Sequence, residues 1–146
     1  MSSLSEVREE IEEAVRTHEL RWTSASDAVR GLILDRLGLT GHELYPWDAT
    51  ELAKATRPYG DDDWSEALRE ELSFLVDQCI LVVSGEEVAD EWLIYKGDAF
   101  EVEALMSEVQ IVEYFVCDTA LTKFLFDTHH NELVKVACEE RPKVEA

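Results

Sequence analysis

The sequence predicts an α+β fold, a helical N-terminal half packed on a mainly antiparallel sheet of about five strands. Three observations point that way. Apolar residues recur at helical intervals through the first half of the chain. After Asp77 the period changes, and β-branched and aromatic runs alternate with turns. The links between the last runs are about three residues long, which suits antiparallel neighbours and leaves no room for a crossover. At 146 residues the chain has the length of one ordinary domain, 1–146. Such a domain buries roughly two-thirds of its unfolded surface and needs no disulfide or metal to fold. The expected order is α-α-α-α-β-β-α-β-β-β, with helices covering one face of the sheet.

The first helix is expected over 4–20. Ser3 and Glu6 have capping-box spacing, and Leu4, Val7, Ile11, Val15 and His18 follow on one face. Ser24 with Asp27 opens a second helix with Val29, Leu32, Ile33 and Leu37 inward, closed by Gly38. Residues 38–47 read as a loop containing Tyr45-Pro46-Trp47. Asp48 with Glu51 opens a short third helix that ends before Pro58, because the residue before proline is pushed out of α geometry. Asp63 with Glu66 caps a fourth helix with Trp64, Leu68, Leu72 and Leu75 inward. Strands are expected at 79–83 and 91–96, a helix over 99–108 behind Asp98, and strands at 110–117, 121–127 and 132–138. Asp118-Thr119-Ala120 and His129-His130-Asn131 form the last two hairpin links. Cys117, Phe124, Phe126, Val134 and Val136 are the expected core.

Charge is the unusual property. Thirty-three acids against thirteen bases give −20, and residues 43–118 alone carry twenty acids and four bases. Such a field repels DNA, RNA and anionic membranes, and speeds encounter with a cationic partner. No apolar run approaches the ~20 residues of a membrane span, and the N-terminus does not read as a secretory signal. Cys79, Cys117 and Cys138 are an odd number, widely spaced in apolar runs. They read as buried thiols in a reducing cytoplasm.

No catalytic, metal or cofactor motif stands out. His129 and His130 are adjacent, so in extended structure they point to opposite faces rather than to one metal. Asp61, Asp62 and Asp63 lack the alternating ligands of a calcium loop and suit a helix start. No Gly-x-Ser-x-Gly and no phosphate loop occur, and thirty-three carboxylates make any single acid–base pair uninformative. The loop aromatics Tyr45, Trp47, Tyr59 and Trp64 either anchor loops on the core or face a partner.

The stretch Glu113-Tyr114-Phe115-Val116-Cys117-Asp118, followed by Lys123-Phe124-Leu125-Phe126-Asp127-Thr128-His129-His130-Asn131, resembles a pattern in small uncharacterised microbial proteins. There, an aromatic strand precedes a strand ending Asn-His-His-Asp. Some α+β proteins of this kind act as immunity proteins of bacterial toxin systems. The match runs from Glu113 to Asn131 and departs at Phe124, Thr128 and Asn131, where tryptophan, asparagine and aspartate are expected. It implies a binding protein and carries no catalytic residues.

The sequence therefore leads to a cytoplasmic, non-enzymatic binding protein that sequesters a basic partner, a toxin or a nucleic-acid-binding protein. No cofactor, direct nucleic-acid contact or membrane contact is expected. The contacts are assigned to Asp61, Asp62, Asp63, Trp64, Glu86, Glu87, Asp90 and Glu91, with His129 and His130 as further candidates. A viral or plasmid-borne inhibitor imitating nucleic acid is the alternative. So is a salt-adapted protein, which five lysines against twenty-two glutamates would suit.

Overall fold

The computed structural model describes residues 4–41, 46–60, 62–74, 78–84, 92–109, 113–128 and 131–138. Helix α1 spans Leu4–Thr17, strand β1 Thr23–Ser24, helix α2 Ala28–Leu37, helix α3 Pro46–Ala49 and strand β2 Lys54–Pro58. Helix α4 spans Trp64–Glu71 and runs into a 3₁₀ turn at Leu72–Phe74. Strands β3 (Gln78–Ser84) and β4 (Trp92–Asp98) follow, then a 3₁₀ turn and helix α5 (Val102–Met106). Strands β5 (Glu113–Asp118), β6 (Lys123–Thr128) and β7 (Glu132–Ala137) complete the order. All pairings are antiparallel, in one seven-stranded sheet of order β1-β4-β3-β5-β6-β7-β2.

The five expected strands form the centre of this sheet. The N-terminal half supplies the two strands the sequence did not announce, one at each edge. Thr23–Ser24 is too short to show a period. Lys54–Pro58 is almost wholly exposed and has no alternating apolar face to read. It occupies the span assigned to a third helix. That helix stops at Ala49 because the buried Thr50 hydroxyl donates to the Leu37 carbonyl (2.9 Å) and accepts the Leu52 N–H (3.3 Å). A side chain that bonds the backbone in this way competes with the helical ladder. Pro58 is tolerated because an edge strand can lack a donor.

Helices cover both faces of the sheet, not one. On the first face, Val7, Ile11 and Ala14 of α1, Ala67 and Leu68 of α4, and Val102, Leu105 and Met106 of α5 pack on Leu81, Val83, Tyr95, Val116 and Leu133. On the second, Ile33, Leu34 and Leu37 of α2 and the Trp47 side chain of α3 pack on Ile80, Val82, Ile94, Phe115, Phe124 and Phe126. Strands β3, β4 and β5 are apolar on both sides, the pattern of a strand covered twice. Each fully buried aliphatic or Phe side chain contributes ~1.5–3 kcal/mol.

Cys117, Phe124, Phe126, Val134 and Val136 are buried as expected. Gly38 closes α2 in the left-handed region (φ 70°), and the Asp98 carboxylate accepts the Phe100 N–H. Two details differ. Leu32 is 58% exposed and Leu34 takes its place inward. Asp27 and Asp63 stand at helix starts without side-chain capping bonds, and Ser24 lies in β1. Between β5 and β6, the Asp118 carboxylate accepts the N–H groups of Thr122 (2.7 Å) and Lys123 (3.0 Å) and the Thr122 hydroxyl (2.5 Å), which fixes that hairpin.

Candidate functional site

The acids are not spread evenly over the two helical layers. Residues 4–17, 62–71 and 99–108 belong to the α1–α5–α4 layer and carry thirteen acids against three arginines. Residues 25–41 and 46–52, on the opposite face, carry four acids and two arginines. The cause is local. Each helix of the first layer turns an apolar stripe inward, so its glutamates are forced outward. Glu6, Glu9, Glu12 and Glu13 of α1, Glu66 and Glu70 of α4, and Glu108 after α5 are exposed. Arg69 crosses from α4 to Glu103 of α5 (3.1 Å), and His18 approaches Glu108 (2.9 Å).

One acid of this face points the other way. Asp127 of β6 is 7% exposed and lies beside the first apolar cluster. Its Oδ1 accepts the Tyr59 hydroxyl (2.6 Å), and its Oδ2 accepts the Trp64 indole N–H (2.7 Å) and the Tyr114 hydroxyl (2.7 Å). Tyr114 is its cross-strand partner. Tyr59 and Trp64 flank the segment between β2 and α4. A carboxylate buried without cationic contact among the described residues persists when its lone pairs are filled, as here. The Tyr59 N–H also donates to the Asn131 carbonyl (3.0 Å). The start of α4 is thereby tied to two strands, and exposed Asp62 and Asp63 sit beside that anchor. On the opposite face, the Trp47 indole donates to buried Glu113 (3.0 Å).

The hydroxyls bonded to Asp127 titrate far from their ordinary range. Burial pushes the Tyr59 hydroxyl up, and the hydrogen bond and charge of Asp127 add to it. Burial does the same for Tyr114, again reinforced by Asp127. A phenol whose folded pKa is raised must stay neutral in the fold. The stability it contributes is complete below about pH 10, its value in an unfolded chain, and is lost as pH climbs toward the raised value. The melting temperature is therefore expected to fall steeply between about pH 10 and 12. The phenolate absorbance of Tyr59 and Tyr114 should appear with unfolding rather than before it. A melting temperature that stays flat across that window would contradict this account.

Of the residues singled out from sequence, Asp62, Asp63 and Trp64 come together at the start of α4. Trp64 is half-buried and its N–H is spent inside the protein, while Asp62 and Asp63 face solvent. Asp61, Glu86, Glu87, Asp90, Glu91, His129 and His130 lie outside the described residues, as does Tyr45. Among the described residues no group of three His, Cys, Asp or Glu side chains could hold a metal ion. None of their helices is long and apolar enough to cross a membrane. Cys79 and Cys117 are buried, and burial pushes the Cys79 thiol up to about 12 and Cys117 in the same direction, away from nucleophilic chemistry. Sequence reasoning missed Asp127 and Glu113. The available signal was an acid at an inward position of an apolar strand.

No family model and no curated protein matches the chain.

Proposed function

We propose that the protein is a non-catalytic cytoplasmic binding protein that presents its α1–α5–α4 face to a basic protein partner, in the manner of an immunity protein. The one-sided distribution of acids is the observation that supports this reading. Thirteen acids on one layer would focus a negative field over that face and steer a cationic surface toward it. A rigid sheet behind the helices suits a preformed interface. A salt-adapted surface needs no such asymmetry. The Asp127 anchor holds Asp62, Asp63 and Trp64 at one border of the face, and Asp61, Glu86, Glu87, Asp90 and Glu91 remain candidate contacts on sequence grounds alone.

The test starts from proteins retained by the immobilised chain at low salt and released by added salt. Association rates are then measured with the captured partner. Reversing Glu9, Glu13 and Glu66 to lysine together is expected to slow association about tenfold or more and to flatten its salt dependence. Reversing Asp27 and Asp35 on the other face should leave both nearly unchanged. Equal effects from the two sets, or none from either, would remove this reading.

A further inference from the structure

Among the described residues two large apolar side chains stand in solvent, Leu32 at 58% and Phe100 at 83% exposure. Burying a Phe side chain is worth ~1.5–3 kcal/mol, yet the neighbours of Phe100 hold it out of the core. It lies in the 3₁₀ turn Ala99–Glu101 that leads into α5. Ala99 before it is buried, and so is Val102 two residues on. The Asp98 carboxylate accepts the Phe100 N–H at 3.0 Å. The Glu101 carboxylate accepts the Arg21 N–H at 2.8 Å. The turn is clamped on both sides, so the ring is carried outward on a backbone that is already fixed.

The ring does not stand alone. Helical residues three and four apart lie one above the other, so Ala104 and Ser107 continue the line from Phe100. Both are exposed. The Ser107 hydroxyl donates to the Ala104 carbonyl at 2.8 Å, which uses its proton inside the helix. The outward line of α5 therefore carries no charge, in the most acidic layer of the chain. Helix α5 is also the middle helix of that layer. Glu108 beyond its end meets His18 beyond α1 at 2.9 Å, and Glu103 meets Arg69 of α4 at 3.1 Å. Packed helices stand ~8–10 Å apart, so the carboxylates of α1 and α4 border the line on both sides. Their charge survives the ion pairs. Arg69 takes Glu103, and Arg57 and Lys135 of the sheet take Glu70 and Glu71. Ten acids of the layer then remain against Arg8 and Arg16.

We propose that Phe100 is the anchor of the acidic face, and that with Ala104 it receives an apolar strip bordered on both sides by lysine or arginine, the pattern of a basic amphipathic helix in the partner. This rests on the function proposed above and names the element of the partner that makes contact. An apolar centre that excludes water inside a charged rim is how interfaces concentrate affinity in a few residues. The rim steers the cations inward, and the ring supplies the contact that holds them. Because the turn is fixed beforehand, little ordering cost falls on binding.

The experiment is a two-dimensional NMR titration of the full chain at low salt with two synthetic peptides of equal length and charge. One is an amphipathic helix of lysine and leucine, and in the other glutamine replaces every leucine. Both are expected to bind. The leucine peptide should bind about tenfold more tightly, a gain of ~1.4 kcal/mol, with saturable shifts at Phe100, Ala104 and Ser107. Phe100→Ser, at an exposed position, should leave the rest of the spectrum native and bring the leucine peptide down to the affinity of the glutamine peptide. Leu32→Ser, at the other exposed apolar position, should change neither affinity. The proposal is overturned if the leucine peptide binds no more tightly than the glutamine peptide, if its advantage survives Phe100→Ser, or if Leu32→Ser removes that advantage equally. A glutamine peptide that fails to bind would remove the acidic-face reading instead, and the response of the leucine peptide to Phe100→Ser would still decide the anchor.

Discussion

Replacing Asp127 by alanine is expected to destabilise the protein by about 4 kcal/mol, and replacing it by asparagine by only about 1 kcal/mol. The difference follows from donors and acceptors. Asp127 accepts from Tyr59, Trp64 and Tyr114. Alanine leaves all three donors without an acceptor. Each unmade bond of a buried group costs ~1–3 kcal/mol, less where water can enter beside Tyr59 and Trp64. Asparagine can place its carbonyl oxygen where Oδ2 sits and accept from both Trp64, which can only donate, and Tyr114. Its amide then occupies the Oδ1 position and donates to Tyr59, whose hydroxyl can rotate to accept. Only the charge assistance of the bonds is lost. Chemical denaturation of the two variants measures this directly. In heat denaturation, alanine should lower the melting temperature by more than about 10 °C. Equal losses for alanine and asparagine would mean that charge, not bond satisfaction, holds the site. The asparagine variant should also show a weaker alkaline decline, because the negative charge beside both phenols is gone.

That site explains how far the sequence could be read. Helices α1 and α4, the central strands and the core of Phe124, Phe126, Val134 and Val136 follow from hydrophobic period, a signal carried by many residues at once. Edge strands carry no such signal. Thr23–Ser24 is too short to show a period and Lys54–Pro58 has no alternating apolar face, so pairing with β4 and β7 decides their conformation. The second helical layer was visible in principle, since an unbroken run such as Cys79 to Val83 implies cover on both sides. Asp127 is one carboxylate among thirty-three acids. Its role depends on Tyr59 and Trp64, 68 and 63 positions away, and no local pattern announces a contact at that separation. The gathering of acids on one layer is equally non-local. It requires knowing that α1, α4 and α5 share a face.

Gly97→Ala is expected to cost about 3 kcal/mol, with Trp22 as the reason. Gly97 lies in β4 opposite Cys79, and the Trp22 indole lies flat against its backbone. A Cβ at this position would overlap the fused edge of the indole, meeting Cδ2, Cε3 and Cε2 at once. These atoms belong to the middle of a rigid ring, so no rotation of a flexible tip relieves the overlap. The ring cannot withdraw easily either. Trp22 is buried in the cluster formed by α1, α4 and α5, and the adjacent Arg21 N–H is held by Glu101 at 2.8 Å. Glycine in a strand is otherwise unfavourable, so without the indole an alanine at position 97 should be neutral or stabilising. This gives a double-mutant cycle with a definite sign. Trp22→Leu alone costs core packing, and Gly97→Ala alone costs the overlap. The two together should cost less than the sum by about 2 kcal/mol, because the shorter side chain vacates the space the new methyl needs. Urea denaturation of the four proteins measures the coupling. Additive losses would mean that Gly97 is required for its backbone conformation, not for the approach of Trp22.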